Sequence, residues 1–342
     1  MPGERIPPFA LPAPTRRARP VLPVFLPWAG CAGRCSFCAQ DLQTGKPGLN
    51  LPAALADMDR ALSEASPARP LEPAFYGGSF TALDPGWRDR FLELAASHRA
   101  AGRVSGVRCS TRPDAVSPSL LRELAAQGLD TVELGVQTFH ADALRDARRG
   151  HGAERSREAC REVKDAGLRL GVHLLPGLPG VTPGVFARDV EITLSLRPDF
   201  VRLHPLLVLA GSGLEAPWRA GLVAPWNLEQ TVEALARACL DFWRAGVAVV
   251  RLGLAQEPSL EAAVLAGPRH PALGTMVRAR ALLEHVRELL AGRLILTLTA
   301  PTRASGEFWG HAGELEASWR GLGLRRENVR FEDREDVLVH CR

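Results

Sequence analysis

Lysine is almost missing from this chain, since Lys46 and Lys164 are the only two among 42 basic residues. Tyrosine occurs once, at Tyr76, and methionine three times. An arginine-for-lysine bias of this kind is what a GC-rich genome produces, and a functional arginine surface is the other reading. The excess of positive charge is only +4, too small to imply a polyanion partner. No apolar run approaches the ~20 residues that a membrane-spanning helix needs; the longest, such as VLPVFLP, fall far short. The first residues, MPGERIPPFALPAPTRRARP, lack the apolar stretch of a secretory signal. These absences predict a cytoplasmic protein with no membrane partner. The seven cysteines are an odd number, and three of them, Cys31, Cys35 and Cys38, fall within eight residues. That clustering does not look like a disulfide framework and suggests a metal site in a reducing compartment.

Length and patterning indicate the fold. The 342 residues suffice for one large α/β barrel with an extension. Short apolar runs at 24–26, 73–76, 106–110, 131–136, 169–174 and 200–204 read as strands, with amphipathic helical patterns at 52–65, 87–100, 118–127, 153–166 and 183–195 between them. Asn50 before Leu51-Pro52, and Ser117 before Pro118, are helix-opening signals. Six βα repeats predict an α/β fold, a partial (βα)6 TIM-like barrel with a C-terminal α/β extension. Past residue 205 the pattern predicts a loop (210–226), a helix (228–245), a strand (247–252), a loop (253–273), a helix (276–291), a strand (293–298), a helix near 311–321 and a short strand near 336–340. The expected division is a flexible Pro/Arg-rich arm at 1–20, a core barrel at 21–210 and the extension at 211–342.

The unusual residues lie at the C-terminal ends of the six strands, the face on which a βα barrel carries its active site. The loop C-A-G-R-C-S-F-C follows the first strand and Tyr76-Gly77-Gly78-Ser79 the second; Ser110-Thr111-Arg112-Pro113-Asp114 ends the third, Gln137 the fourth, His173 the fifth and His204 the sixth. Thiolates at this spacing can hold an iron–sulfur cluster. A cubane has four irons and only three cysteines are present, which leaves one iron open. Zinc also accepts cysteines at such spacings, but it needs a fourth ligand, and the next Cys or His in sequence is His98.

A CxxxCxxC loop after a first strand with a glycine pair after the second resembles the radical S-adenosylmethionine superfamily. The segments PVFLPWAGCAGRCSFC, FYGGSFTAL, STRPDA, VELGVQTF, RRGH, HLLPGLPG, RLHPLLVLAGSGL and GPRHPALG resemble the radical core of the Elongator catalytic subunit and its short bacterial relatives. The resemblance implies a 4Fe–4S cluster on Cys31, Cys35 and Cys38. It implies S-adenosylmethionine on the open iron, cleaved by one electron to a 5′-deoxyadenosyl radical that abstracts hydrogen from a substrate. It also implies a donor such as flavodoxin or ferredoxin, and a substrate in tRNA wobble-uridine modification. Oxygen-independent coproporphyrinogen oxidase is similar over the same loops. Matched by motif, its cofactor contacts fall on Gly77, Gly78, Ser79, Ser110, Gln137, Arg149 and His173. Ser110 and His173 replace acidic residues of that family, which argues against a porphyrinogen substrate.

Each of these residues also has a plainer reading. The glycine pair can mark a tight turn, and Gln137 can make a structural hydrogen bond. Arg149 can be a solvated helix-end charge or a carboxylate clamp, and Arg112 either a local ion pair with Asp114 or part of the site. His173 and His204 can be satisfied core histidines, and Tyr76 can pack beside the glycine turn. Arg16, Arg17 and Arg19 form a small basic arm that is weak support for a phosphate partner. A small-molecule or peptide radical enzyme, a cluster protein for electron transfer or sensing, and a zinc-stabilised RNA-binding module are the alternatives in other classes.

Overall fold

The computed structural model describes residues 4–11, 20–44, 48–254 and 257–342; Arg16, Arg17 and Arg19 lie outside the described residues. The strands are β1 (Glu4–Ala10), β2 (Val21–Phe25), β3 (Glu72–Tyr76), β4 (Arg108–Thr111), β5 (Thr131–Gln137), β6 (Arg169–Leu174), β7 (Phe200–Leu203), β8 (Val208–Leu209), β9 (Ala248–Leu252), β10 (Val264–Ala266), β11 (Ile295–Pro301), β12 (Val329–Glu332) and β13 (Asp336–Cys341). Strands β2 to β7 and β9 form one seven-stranded, wholly parallel sheet in that order. It curls into a partial barrel. A parallel neighbour requires a crossover, and helices Leu51–Ser63, Pro85–Ala100, Pro118–Ala126, Ala153–Asp165 and Pro183–Ser195 supply the first five.

Four of these helices open in the same way. Asn50, Asp84, Ser117 and Thr182 each accept a backbone N–H of the first turn, at 2.9, 3.0, 3.3 and 3.3 Å, and a proline follows at the first or second helical position. The side chain satisfies an amide that the helix leaves free, and proline has no amide to satisfy. The turn into each of these four helices is therefore local in origin.

The sheet has seven strands where six were expected. Strand β9, assigned to the extension from sequence, pairs with β7 instead (Phe200↔Ala248, Leu203↔Leu252). Its residues Ala248-Val249-Val250 are as apolar as a barrel strand, and β7 would otherwise leave an open edge. The chain divides into two compact units: one comprises residues 15–227 and 247–269, the other 1–14, 228–246 and 270–342. The boundary at 210 is thus replaced by a discontinuous one. The loop expected at 253–273 contains helix Pro258–Ala263 and β10, which pairs antiparallel with β8 (Val264↔Leu209). Around this pair Ala39, Leu207, Leu209 and Leu260 make a small apolar cluster.

In the second unit a four-stranded sheet runs β1-β13-β11-β12. Here the expectation of a free arm at 1–20 is corrected: Glu4–Ala10 pairs antiparallel with β13, from Glu4↔Cys341 to Ala10↔Asp336, and Ile6 is buried at 3% exposure. Proline-rich composition suggested an arm, but ladder hydrogen bonds are needed on one side only at a sheet edge. Helices Leu228–Arg244 and Leu273–Leu290 pack together in this unit, and Phe308, Trp319, Leu298 and Val337 fill its core.

Candidate functional site

In a strand, alternate side chains share a face, and in the barrel the outer set is apolar. Val132, Leu134 and Val136 of β5, Leu170, Val172 and Leu174 of β6, and Val201 and Leu203 of β7 are fully buried. The other set carries Glu72 and Tyr76 (β3), Arg108 and Ser110 (β4), Glu133, Gly135 and Gln137 (β5), Gly171 and His173 (β6) and Arg202 with the following His204 (β7). The upper members line a cavity of about 310 Å³, within the range of small-molecule sites. Cys31, Cys35, Cys38, Gly77, Gly78, Ser79, Ser110, Arg112, Gln137, Arg149 and His173, all singled out from sequence, line this one cavity, as do Tyr76 and His204.

The cysteine loop is fixed by backbone contacts to the glycine turn. Leu26 N–H donates to Tyr76 C=O at 2.7 Å, Trp28 N–H to Gly77 C=O at 2.9 Å, and Ser79 N–H to Ala29 C=O at 2.7 Å. Trp28 has φ +65°, strained for a side chain of its size. Its amide donates to Gln40 and its indole N–H to Asp41, which hold that conformation. The Cys31 thiol lies 3.5 Å from Ser79 Oγ. Burial pushes the Cys38 thiol up to about 12, with neighbouring Cys35 adding to the rise. A metal that deprotonates it would reverse this. Among the described residues no three Cys, His, Asp or Glu side chains are placed to hold a single ion, as a mononuclear zinc site requires. A cubane bonds each thiolate to a different iron, so its ligands need not meet at one point. Cys109, Cys160, Cys239 and Cys341 are buried elsewhere; burial raises Cys160 and Cys239 to about 12.

Gly77 has φ +87° and so favours glycine. At Gly78 a side chain would meet backbone: an added Cβ would lie 2.5 Å from Ala29 C=O and 2.7 Å from Leu26 C=O. Glycine here is required by the cysteine loop itself, where the sequence suggested approach to a cofactor. Gln137 has φ +72°, and the β5–β6 register shifts between Leu134 and Gln137. The bulge turns this side chain at the strand's end, and its Nε2 would lie 3.0 Å from a Cβ at Gly135.

Arg149 is 4% exposed, so it is no solvated helix-end charge. Its Nη1 donates to Cys35 Sγ at 3.1 Å and its Nη2 to Gly135 C=O. Arg112 pairs with Asp114 through Nε (2.9 Å) and Nη2 (2.5 Å), and Nη2 also donates to Arg149 C=O at 2.7 Å. Arg112 forms a local ion pair that buttresses Arg149, and its side chain also lines the cavity. Nearby, burial first and then Arg149 lower His151 to about 4.

Sequence reasoning missed the group beneath the cavity. Glu133 has no exposed surface. Its carboxylate accepts from Arg202 Nε (2.6 Å) and Nη2 (3.2 Å), Arg108 Nη1 (3.3 Å), Tyr76 Oη (3.0 Å) and His173 Nε2 (2.8 Å). Arg108 also binds Glu72. Two carboxylates and two guanidiniums thus alternate. Burial raises the Glu133 pKa, but Arg202 and His173 outweigh it and hold the carboxyl well below its usual range. Burial and the Glu133 charge push the Tyr76 phenol up, so it stays a donor. The lone tyrosine therefore joins this network and does not merely pack beside the turn. His204 donates Nδ1–H to Gly253 C=O at 3.1 Å and stands edge-on to His173 at 5.7 Å. Burial, with His173 and Arg202, lowers its pKa to about 3. The signal in the sequence was polar residues at alternate positions, E133-x-G-x-Q and R202-x-H, inside strands of a parallel sheet that should be apolar on both faces.

The site fits a polar cofactor. Ser110 Oγ and Arg149 Nε are buried, line the cavity residues and have no partner in the protein, and a native structure leaves few such atoms without a role.

Two family models match the chain: the Radical SAM superfamily over residues 25–191 and the Radical_SAM C-terminal domain over 198–284. Among curated proteins, it is 29% identical over 192 residues to the tRNA uridine(34) acetyltransferase of Methanocaldococcus jannaschii, covering 50% of this chain and 36% of that one. It is 30% identical over 184 residues to the human Elongator complex protein 3, covering 47% and 33%. This chain thus spans about a third of the length of those two relatives. Among solved structures it resembles the archaeal Methanocaldococcus infernus Elp3 with an N-terminal deletion, at a TM-score of 0.61 and 22% identity, over 79% of this chain and 64% of that one. The Escherichia coli coproporphyrinogen III oxidase, a radical SAM enzyme, matches at TM-score 0.50 and 19% identity, over 69% and 54%.

Proposed function

Because the chain belongs to the radical S-adenosylmethionine superfamily, we propose that Cys31, Cys35 and Cys38 hold its 4Fe–4S cluster in this cavity and that its substrate is a uridine of transfer RNA. Membership makes it an enzyme that uses a 4Fe–4S cluster and S-adenosylmethionine. The observation that carries the site is convergence: three cysteines and eight candidate cofactor residues from five strand ends line one cavity. When bound, the cluster and cofactor supply one-electron chemistry that removes hydrogen from a substrate.

The rest falls to the chain. Gly78 lets the cysteine loop lie against the glycine turn, which sets the three thiols in place. Arg149 puts a positive charge on Cys35, which stabilises a thiolate there. Ser79, Ser110 and Gln137 would offer polar atoms to the bound cofactor. Glu133 locks Tyr76, His173 and Arg202 so that the polar floor does not shift during turnover. A small one-electron donor, flavodoxin or ferredoxin, completes the system, and seven unpaired cysteines suit the reducing cytoplasm.

The uridine reading rests on the names of the relatives above. Two measurements test it. Protein reconstituted anaerobically with iron and sulfide, then given dithionite and S-adenosylmethionine, should release 5′-deoxyadenosine. Transfer RNA from a deletion strain should lack a modified uridine that the wild type contains. Normal levels of every modified uridine would remove transfer RNA as the substrate.

A further inference from the structure

We infer that Arg202 and His204 form a substrate subsite, a fixed donor beside a fixed acceptor, that reads a carbonyl oxygen next to an N–H on a planar ring. The inference deepens the uridine reading, on which the choice of an imide such as uracil rests. Both residues line the cavity, and neither is needed for the cluster or the cofactor contacts assigned above.

The strand places them together. Arg202 lies on β7, and the strand's pairing with β6 runs on through His204, whose N–H donates to Leu174 C=O at 3.0 Å. Residues two apart share a face, while Leu203 between them is fully buried on the other. Arg202 is immobilised from behind: Nε is held by Glu133 at 2.6 Å, and Nη2 donates to Tyr76 Oη at 2.7 Å and to Glu133 at 3.2 Å. Among the described residues nothing bonds Nη1, so a guanidinium that lines the cavity and is fixed at two nitrogens keeps its third without a protein partner.

His204 has the opposite polarity. Its Nδ1 is 3.1 Å from Gly253 C=O, and a carbonyl can only accept. Nδ1 therefore carries the proton and Nε2 is left as an acceptor; among the described residues Nε2 has no partner. Burial, with His173 and the adjacent Arg202, keeps the ring uncharged at neutral pH. A guanidinium N–H and an imidazole nitrogen on one strand face complement C=O beside N–H. A ring that lacks the N–H would leave Nε2 desolvated and unpaired, which is where hydrogen-bonding sites gain their selectivity.

The test compares ligands that differ only at that N–H. The reconstituted holoenzyme with S-adenosylmethionine is titrated with uridine and 3-methyluridine, followed by ligand-observed NMR. Uridine should bind about tenfold or more tightly than 3-methyluridine. His204→Leu should abolish the preference, and His204→Gln, whose amide oxygen can accept, should restore part of it. Visible cluster absorption reports that each variant is folded. Equal binding of the two nucleosides by the wild type, or an undiminished preference in His204→Leu, overturns the subsite. Glutarimide against N-methylglutarimide separates the two proposals. A His204-dependent preference there, with normal modified uridines in the deletion strain, keeps the subsite and discards the transfer-RNA substrate. Missing modified uridines without any imide preference does the reverse.

Discussion

Replacing Glu133 by glutamine keeps the size of the side chain and removes its charge. The carboxylate accepts five hydrogen bonds from four residues at 2.6–3.3 Å, and no part of it is exposed. The amide that replaces one oxygen would face donors with donors, and Arg202 would lose its buried counter-ion. Removing one partner of a buried pair costs about 3–5 kcal/mol, a large part of the 5–15 kcal/mol that usually holds a domain together. Urea unfolding of the cluster-free proteins at pH 7 should show that loss. The difference should shrink with acid. The folded pKa of Glu133 lies below its ordinary 4.5, so its stabilisation is complete above about pH 5 and fades as pH falls below 4.5 towards the folded value. The gap between wild type and Glu133→Gln should therefore narrow from pH 5 to pH 3. A loss under about 1 kcal/mol, or a gap that stays constant across that range, would refute the account of a carboxylate held ionised by its arginines.

Alanine at Cys31, Cys35 or Cys38 should each abolish the visible charge-transfer absorption of reconstituted protein, whereas Cys109→Ala and Cys239→Ala should retain it. Gly78→Val, which drives a side chain into the Leu26 and Ala29 carbonyls, should reduce bound iron as well as cofactor affinity; full iron loading would show that the loop tolerates it. Arg149→Ala removes the charge beside Cys35, and should weaken S-adenosylmethionine binding by about ten- to a hundredfold and make the cluster harder to reduce in a potentiometric titration. Asp189 accepts from Phe139 N–H at 2.8 Å and Thr138 Oγ1 at 2.6 Å, yet burial raises it from 3.8 to about 6. A raised carboxyl costs stability as pH rises, so the wild type should lose roughly 2–3 kcal/mol between pH 4 and 7 that Asp189→Asn does not.

The barrel was readable because its rules are local. Strand β6 and helix Pro183–Ser195 fall on the expected residues, and the caps that start the helices lie next to their prolines. Cys31, Cys35 and Cys38 were visible because their spacing carries the chemistry. Glu133 and Arg202 escaped because a charged residue inside an apolar strand is identified only by partners 25 to 126 positions away. Strand β9 was misassigned for a related reason: its composition suits either sheet, and only the open edge of β7 decides between them. Strand β1 gave no periodic signal because prolines occupy two of its seven positions.

Pairing between the first and last strands has a consequence during synthesis. Strand β1 leaves the ribosome more than 300 residues ahead of its partner β13, which ends at residue 341. At 5–20 residues per second, β1 waits on the order of half a minute with its ladder groups unpaired. Such a strand invites pairing with other chains. Pro7 and Pro8 sit where the β1–β13 register shifts, between Ile6 and Phe9, and proline can donate no hydrogen bond to a stranger's strand. The two prolines that disguise β1 in the sequence are thus a safeguard for the interval in which it has no partner. Pro7→Val with Pro8→Val should leave the finished sheet able to form while raising the fraction of newly made chain that aggregates.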